Sequence, residues 1–246
     1  MQKKIGLIGF PLTHSFSKSF FEEKIKKEAI NNLIFENFEI EQLHQFPTLL
    51  ASNPSLIGLA VTIPHKVSIQ SYLDQIDTLA VQIGSVNCIR ISNGNTIGFN
   101  TDAVGFKKSI QQCITTKPKR ALILGTGGSS KTVQYVLHQM GISTTLVSRK
   151  SDPANQILGY NDLQSDLIKE HRLIVNTTPL GMYPETDAAP DILYHELTAE
   201  HFLFDLIYNP QETSFLEKGK LMGAKICNGL DMLYFQAEEN WRIWNQ

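Results

Sequence analysis

Short runs of aliphatic and β-branched residues alternate, from one end of the chain to the other, with segments whose apolar positions recur every three or four residues. The first pattern predicts strands and the second helices, so the alternation predicts an α/β protein with largely parallel sheets. A first series of strands is expected at residues 4–8, 33–40, 56–63, 86–91 and 96–99. The polar stretch Thr115-Thr116-Lys117-Pro118-Lys119 interrupts it. A second series follows at 121–124, 144–147, 173–175 and 202–207, which predicts two α/β domains with a boundary near residues 100–118. From Gly229 onward, Leu230, Leu233, Tyr234, Ala237, Trp241 and Trp244 form a helical stripe that needs a surface to cover.

Composition narrows the class. With 42% hydrophobic and 19% charged residues, 16 Gly and 10 Pro in 246 residues, the chain is neither disordered nor fibrous. Its 22 Lys and Arg nearly balance 24 Asp and Glu, which lacks the basic footprint of a nucleic-acid binder and favours small molecules as partners. No apolar run approaches the ~18 residues of a membrane span, so no membrane partner and a cytoplasmic location are expected. Cys88, Cys113 and Cys227 are odd in number and far apart, and three buried thiols are expected.

The strand at 121–124 runs into Gly125-Thr126-Gly127-Gly128-Ser129-Ser130-Lys131 and then a helical pattern. A glycine turn between strand and helix lets the backbone approach a diphosphate, whose charge sits against the free N–H groups of the helix start. The next strand ends in Ser148-Arg149-Lys150, where an acidic residue would hold the ribose 2′-hydroxyl of NAD. Arg149 can instead pair with a 2′-phosphate, so the expected cofactor is NADP(H). The spacing does not fit a P-loop.

In the first half, polar residues fall at strand ends. Ser15 and Ser17 follow the first strand and could present two hydroxyls to a carboxylate or polyol, although Ser17 could equally cap the next helix. Lys66 follows the third strand and Asp102 the fifth, a plausible acid/base couple because α/β sheets bind ligands beyond their strand ends. His195-Glu196 begins a metalloprotease-like pattern, but Ala199 stands where the second His would be, and no metal is expected.

These residues stand within a longer ordered set: Gly9-x-Pro11-x-x-His14-Ser15-x-Ser17, Val61-Thr62-x-Pro64-x-Lys66, Gly84-Ser85-Val86-Asn87, Asn100-Thr101-Asp102-x-x-Gly105, the Gly125 turn, Asn176-Thr177-Thr178-Pro179-x-Gly181-Met182, Asp205-x-x-Tyr208-Asn209-Pro210-x-x-Thr213 and Asn228-Gly229-Leu230-x-Met232-Leu233-x-x-Gln236-Ala237. The set resembles the shikimate dehydrogenase family and spans the chain. The resemblance implies an α/β substrate domain (1–101), a doubly wound Rossmann-type NADP-binding domain (102–228) and a C-terminal helix (229–246) returning to the first. It implies NADPH-dependent reduction of 3-dehydroshikimate to shikimate, and the reverse, by a monomer or homodimer in aromatic amino-acid biosynthesis. By matching positions, Ser15 and Ser17 would hold the substrate carboxylate, and Thr62, Asn87, Tyr208 and Gln236 would line the pocket. Lys66 and Asp102 would meet the reacting hydroxyl. Gly125, Thr126, Gly127, Gly128, Ser129, Ser148, Arg149, Lys150, Leu206 and Gly229 would contact the cofactor.

The chain departs from the family pattern at Ala60, where asparagine is usual, and at Lys18, where proline is usual. The first puts substrate affinity in doubt, and the second could add positive charge near the carboxylate. Relatives that accept quinate tend to carry threonine at the position of Ser17. A quinate or aminoshikimate dehydrogenase is the nearest enzymatic alternative, and a non-catalytic NADP sensor would be favoured had Lys66 or Asp102 been missing.

Overall fold

The computed structural model describes residues 2–12 and 16–246, which divide into two compact units, 1–101 with 237–246, and 102–236. The first contains β1 (Lys3–Gly9), α1 (Phe16–Lys27), β2 (Leu33–Glu39), α2 (Phe46–Ser52), β3 (Leu56–Val61), β4 (Gln75–Ile76), α3 (Thr78–Ile83), β5 (Cys88–Ser92) and β6 (Asn95–Phe99). The second contains α4 (Asp102–Cys113), β7 (Arg120–Leu124), α5 (Gly128–Gln139), β8 (Ser143–Ser148), β9 (Ile157–Gly159), α6 (Ser165–Glu170), β10 (Leu173–Asn176), β11 (Phe202–Asp205), α7 (Ser214–Leu221) and β12 (Lys225–Cys227). The last helix, α8 (Leu230–Trp244), is divided between the units after residue 236. Most of the boundary region around 100–118 is therefore the helix α4. No described helix is long and apolar enough to cross a membrane.

The first sheet has the order β2-β1-β3-β5-β6-β4 and is mixed, with β4 parallel to β6 as well. β1 runs parallel to β2 and β3, whereas β5 is antiparallel to β3 and β6. The β5–β6 reversal is local: Asn93 and Gly94 adopt φ values of 50° and 80°, the two left-handed positions of a tight hairpin turn. Both faces of this sheet are buried. On one, Ile5, Leu7, Phe35 and Ala60 pack with Phe21 of α1 and with Ala237, Trp241 and Trp244 of α8. Gly58 leaves the space that the Trp244 indole fills, and Trp244 Nε1 donates to Ile89 O at 3.0 Å. On the other face Ile8, Leu59 and Val61 pack with Phe46, Ile69 and Ala80. Tyr234 does not share the buried side expected of its stripe and is 42% exposed, while Asn240 takes a buried place one turn from Gln236.

The second sheet, β12-β11-β10-β7-β8-β9, is parallel throughout. The chain winds outward from β7 to β9, then restarts at β10 on the other side, the doubly wound pattern with its switch point between β7 and β10. Its central strands are apolar without alternation because helices cover both faces. Cys113, at the end of α4, and Cys227, at the end of β12, form a disulfide with Cα atoms 6.5 Å apart. This corrects the expectation of three buried thiols and leaves Cys88 as the buried thiol. The partners lie 114 residues apart, a separation across which only the folded chain brings them together.

Candidate functional site

Because β5 is antiparallel to β3 and β6, its start lies beside their ends. Val61 N–H donates to Asn87 O at 2.8 Å, and Asn87 N–H donates to Phe99 O at 3.0 Å. The segments after β1, β3 and β6 and the residue before β5 thus gather at one end of the first sheet. Thr62 enters this end in a backbone bond to Ile8 O at 2.9 Å, and a β-carbon at Gly9 would collide with its methyl group. Lys66 is half-buried, and its carbonyl accepts from Val86 N–H at 2.8 Å. His65 is not aimed outward: its Nε2 lies 2.6 Å from Ile40 O, which ties the Lys66 turn to the chain after β2. Asn87 and Thr101 are buried and hydrogen-bonded to each other, and Asp102, also buried, is the first residue of α4.

The loop after β1 is held by Leu12 N–H donating to Glu39 Oε1 at 2.6 Å. Ser17 is half-buried in the first turn of α1, whereas Ser15, with Thr13 and His14, lies outside the described residues. Lys18 is exposed, with its ammonium 3.9 Å from Glu22 of the same helix.

The expected cofactor residues lie at or beyond the ends of parallel strands along one edge of the second sheet. Gly125 follows β7 at the switch point with φ 113°, and a β-carbon there would press on Thr177 Oγ1. Thr126 and Gly127 are exposed, and a β-carbon at Gly127 would meet no atom within 4 Å. Gly128 and Ser129 open α5, whose first turn is the positive end of the helix. Ser148 ends β8, with Arg149 and Lys150 exposed beyond it. Leu206 and Gly229 are neighbours: Gly229 N–H donates to Ile207 O at 3.0 Å, and any β-carbon at 229 would strike the Leu206 carbonyl. Tyr208 is half-buried, and burial raises its phenol pKa. Gln236 is buried, its amide donating to Leu233 O at 3.0 Å, and Gly105 of α4 allows α8 to approach at that residue.

A cleft of about 340 Å³ is lined by Arg149, Lys150, Ser151, Tyr160 and Asn161. The sequence does not announce Tyr160 and Asn161 because they arrive from the short turn after β9, a three-residue strand with no alternation to detect. The Tyr160 phenol is raised by burial and by Asp191, and Arg149 opposes that rise, which places the guanidinium within electrostatic reach. A second cavity of about 350 Å³, around Asn53, Ile57 and Asn93, lies at the opposite end of the first sheet and holds none of the expected residues. His195 is exposed on a single 3-10 turn, and among the described residues no cluster of His, Cys, Asp or Glu could hold a metal ion.

Asp205 is buried and organises this edge of the sheet. Its Oδ1 accepts from Ile207 N–H and from Asn176 Nδ2, both at 3.0 Å, and its Oδ2 accepts from Thr213 Oγ1 at 2.6 Å. Desolvation outweighs these three bonds and pushes its pKa up to about 6. The native state therefore holds a proton that the unfolded chain releases at a lower pH. Stability from this group is present below the ordinary value near 3.8 and is lost as pH rises through 6, by about 3 kcal/mol in all. Asp205→Asn can keep the three bonds with Thr213 as acceptor. Denaturation of the variant from pH 4 to 7 should lack the wild-type decline, and identical pH slopes would remove Asp205 as its cause.

Comparison with known proteins places this architecture. The model of the shikimate dehydrogenase substrate-binding domain matches residues 7–89. A shikimate dehydrogenase (NADP(+)) of Methanococcus maripaludis is 37% identical, covering 98% of this chain and 91% of its own. The crystal structure of shikimate dehydrogenase from Aquifex aeolicus superposes with a TM-score of 0.88 at 33% identity, over 99% of this chain and 92% of that one. That of Thermus thermophilus, solved with NADP(H) and shikimate, gives 0.86 at 26% identity over 99% and 93%.

Proposed function

Because this chain belongs to the shikimate dehydrogenase family, we propose that it interconverts 3-dehydroshikimate and shikimate with NADP(H), Lys66 and Asp102 serving the reacting oxygen. The observation that carries the reading is the gathering of Thr62, Lys66, Asn87 and Thr101 at one end of the first sheet, with Asp102 next along the chain. It is a set of hydroxyl, amide, ammonium and carboxylate groups suited to a small polyol acid.

The second unit fits NADP. Gly127 presents bare backbone at the start of α5, and Arg149 and Lys150 bring two cations to one cleft. When bound, the nicotinamide supplies the hydride or takes it up. Lys66 handles the proton: in the reducing direction its ammonium gives a proton to the oxygen as alkoxide character develops, and in the oxidising direction the amine removes it. Asp102 orients the hydroxyl and holds the ammonium. Ser15 and Ser17 bind the carboxylate, and Thr62, Asn87, Tyr208 and Gln236 bind the ring hydroxyls.

Shikimate is preferred over quinate, which carries an additional hydroxyl on the carboxylate-bearing carbon. A filled wall rejects an added hydroxyl by about 10²-fold, and buried donors left unpaired extend this to about 10⁴. The ratio of kcat/KM for the two substrates measures this directly, and Ser17→Thr should narrow it. Similar efficiencies for shikimate and quinate in the unmodified enzyme would defeat the substrate assignment while leaving the dehydrogenase class intact.

A further inference from the structure

The residues given roles above do not include the group that sets the direction of one buried proton. Asn87, Thr101 and Asn240 are 3%, 1% and 1% exposed, so each polar atom must be satisfied within the protein. Thr101 N–H lies 2.6 Å from Asn87 Oδ1, which fixes that end of the Asn87 amide as the oxygen. Asn87 Nδ2 then faces Thr101 Oγ1 at 2.9 Å and donates to it. A hydroxyl has a single hydrogen. It points to Asn240 Oδ1 at 2.6 Å, in preference to Asn87 Oδ1 at 3.2 Å.

We infer that Asn240, on the C-terminal helix, is a positioning residue for the reaction, acting through Thr101 on the substrate-facing amide of Asn87. Its carbonyl oxygen draws the hydroxyl hydrogen away from Asn87, so that Thr101 Oγ1 receives the Asn87 amide instead of competing for its oxygen. Thr101 directly precedes Asp102, so the same clamp holds the backbone from which that carboxylate projects. Asn240 itself touches neither substrate nor cofactor in this scheme. The inference rests on the functional reading above, in which Asn87 and Asp102 meet the substrate.

The test is steady-state kinetics with shikimate and NADP on four variants. Asn240→Leu keeps the volume and deletes the acceptor. It should raise the shikimate KM about tenfold, the scale of one buried hydrogen bond, and leave the NADP KM within about twofold. Asn240→Asp retains an acceptor oxygen and should stay within about threefold of the unmodified enzyme in shikimate KM. Thr101→Val should match Asn240→Leu, and the double variant should be no worse than Thr101→Val alone, because both changes break one chain of bonds. Should Asn240→Leu fail to fold, as judged by NADP binding, Asn240→Ala takes its place in the same cycle. An unchanged shikimate KM accompanied only by a lower Tm, or effects that multiply in the double variant, would overturn the inference. An unmodified enzyme with no activity on shikimate would instead overturn the functional reading on which it stands.

Discussion

Lys66→Ala is expected to lower turnover by roughly 10² to 10⁴ while the protein folds and binds NADPH normally. The size follows from what the ammonium does: hydride transfer to a carbonyl leaves negative charge on oxygen, and a positioned proton donor removes it within the same step. Folding should be spared because the side chain is only half-buried, and the turn that carries it is held by other groups. His65 bonds to the Ile40 carbonyl, and the Lys66 carbonyl accepts from Val86 N–H. Cofactor binding should be spared because the glycine turn and Arg149 belong to the other unit. The check is a comparison of kcat, thermal melting and NADPH affinity in one preparation. Near-normal turnover would remove Lys66 from the chemistry, and loss of NADPH binding with turnover would mean that the variant reports on structure.

Arg149→Ala should weaken NADPH far more than NADH. A charge-assisted contact with the 2′-phosphate contributes roughly 1.5 to 3 kcal/mol, a factor of about ten to a hundred in KM. Arg149 is exposed at the end of β8 and lines the cleft that Lys150, Ser151 and Tyr160 share, so its loss leaves no buried cavity and should not lower stability. The measurement is the ratio of NADPH to NADH efficiencies before and after substitution. An equal loss with both cofactors would show that Arg149 does not touch the phosphate that distinguishes them.

How much of this was legible beforehand depended on length and locality. The long strands of both sheets carry enough β-branched residues to be read directly, and the glycine turn announces itself by standing between a strand and a helix. The strands β4, β9 and β12 have two or three residues each and show no period at all. Their loss mattered at β9, since the turn after it delivers Tyr160 and Asn161 to the cleft beside Arg149. The hairpin at Asn93-Gly94 is a local signal that marks β5 and β6 as antiparallel, and with it the placing of Asn87 beside Phe99. The Cys113–Cys227 disulfide and the Asn240–Thr101 bond join residues 114 and 139 positions apart, and only the folded chain reveals them. Even so, Asn240 stands one helical turn after Gln236 on a buried face, and a polar residue there was a readable hint.

The dehydrogenase activity is measured most directly as the oxidation of NADPH by the purified protein, followed by absorbance, with 3-dehydroshikimate and 3-dehydroquinate offered separately. Rapid consumption of NADPH is expected with 3-dehydroshikimate, one equivalent per shikimate formed, and much slower consumption with 3-dehydroquinate or with NADH as donor. No NADPH consumption with 3-dehydroshikimate, or consumption equally fast with 3-dehydroquinate, would contradict it.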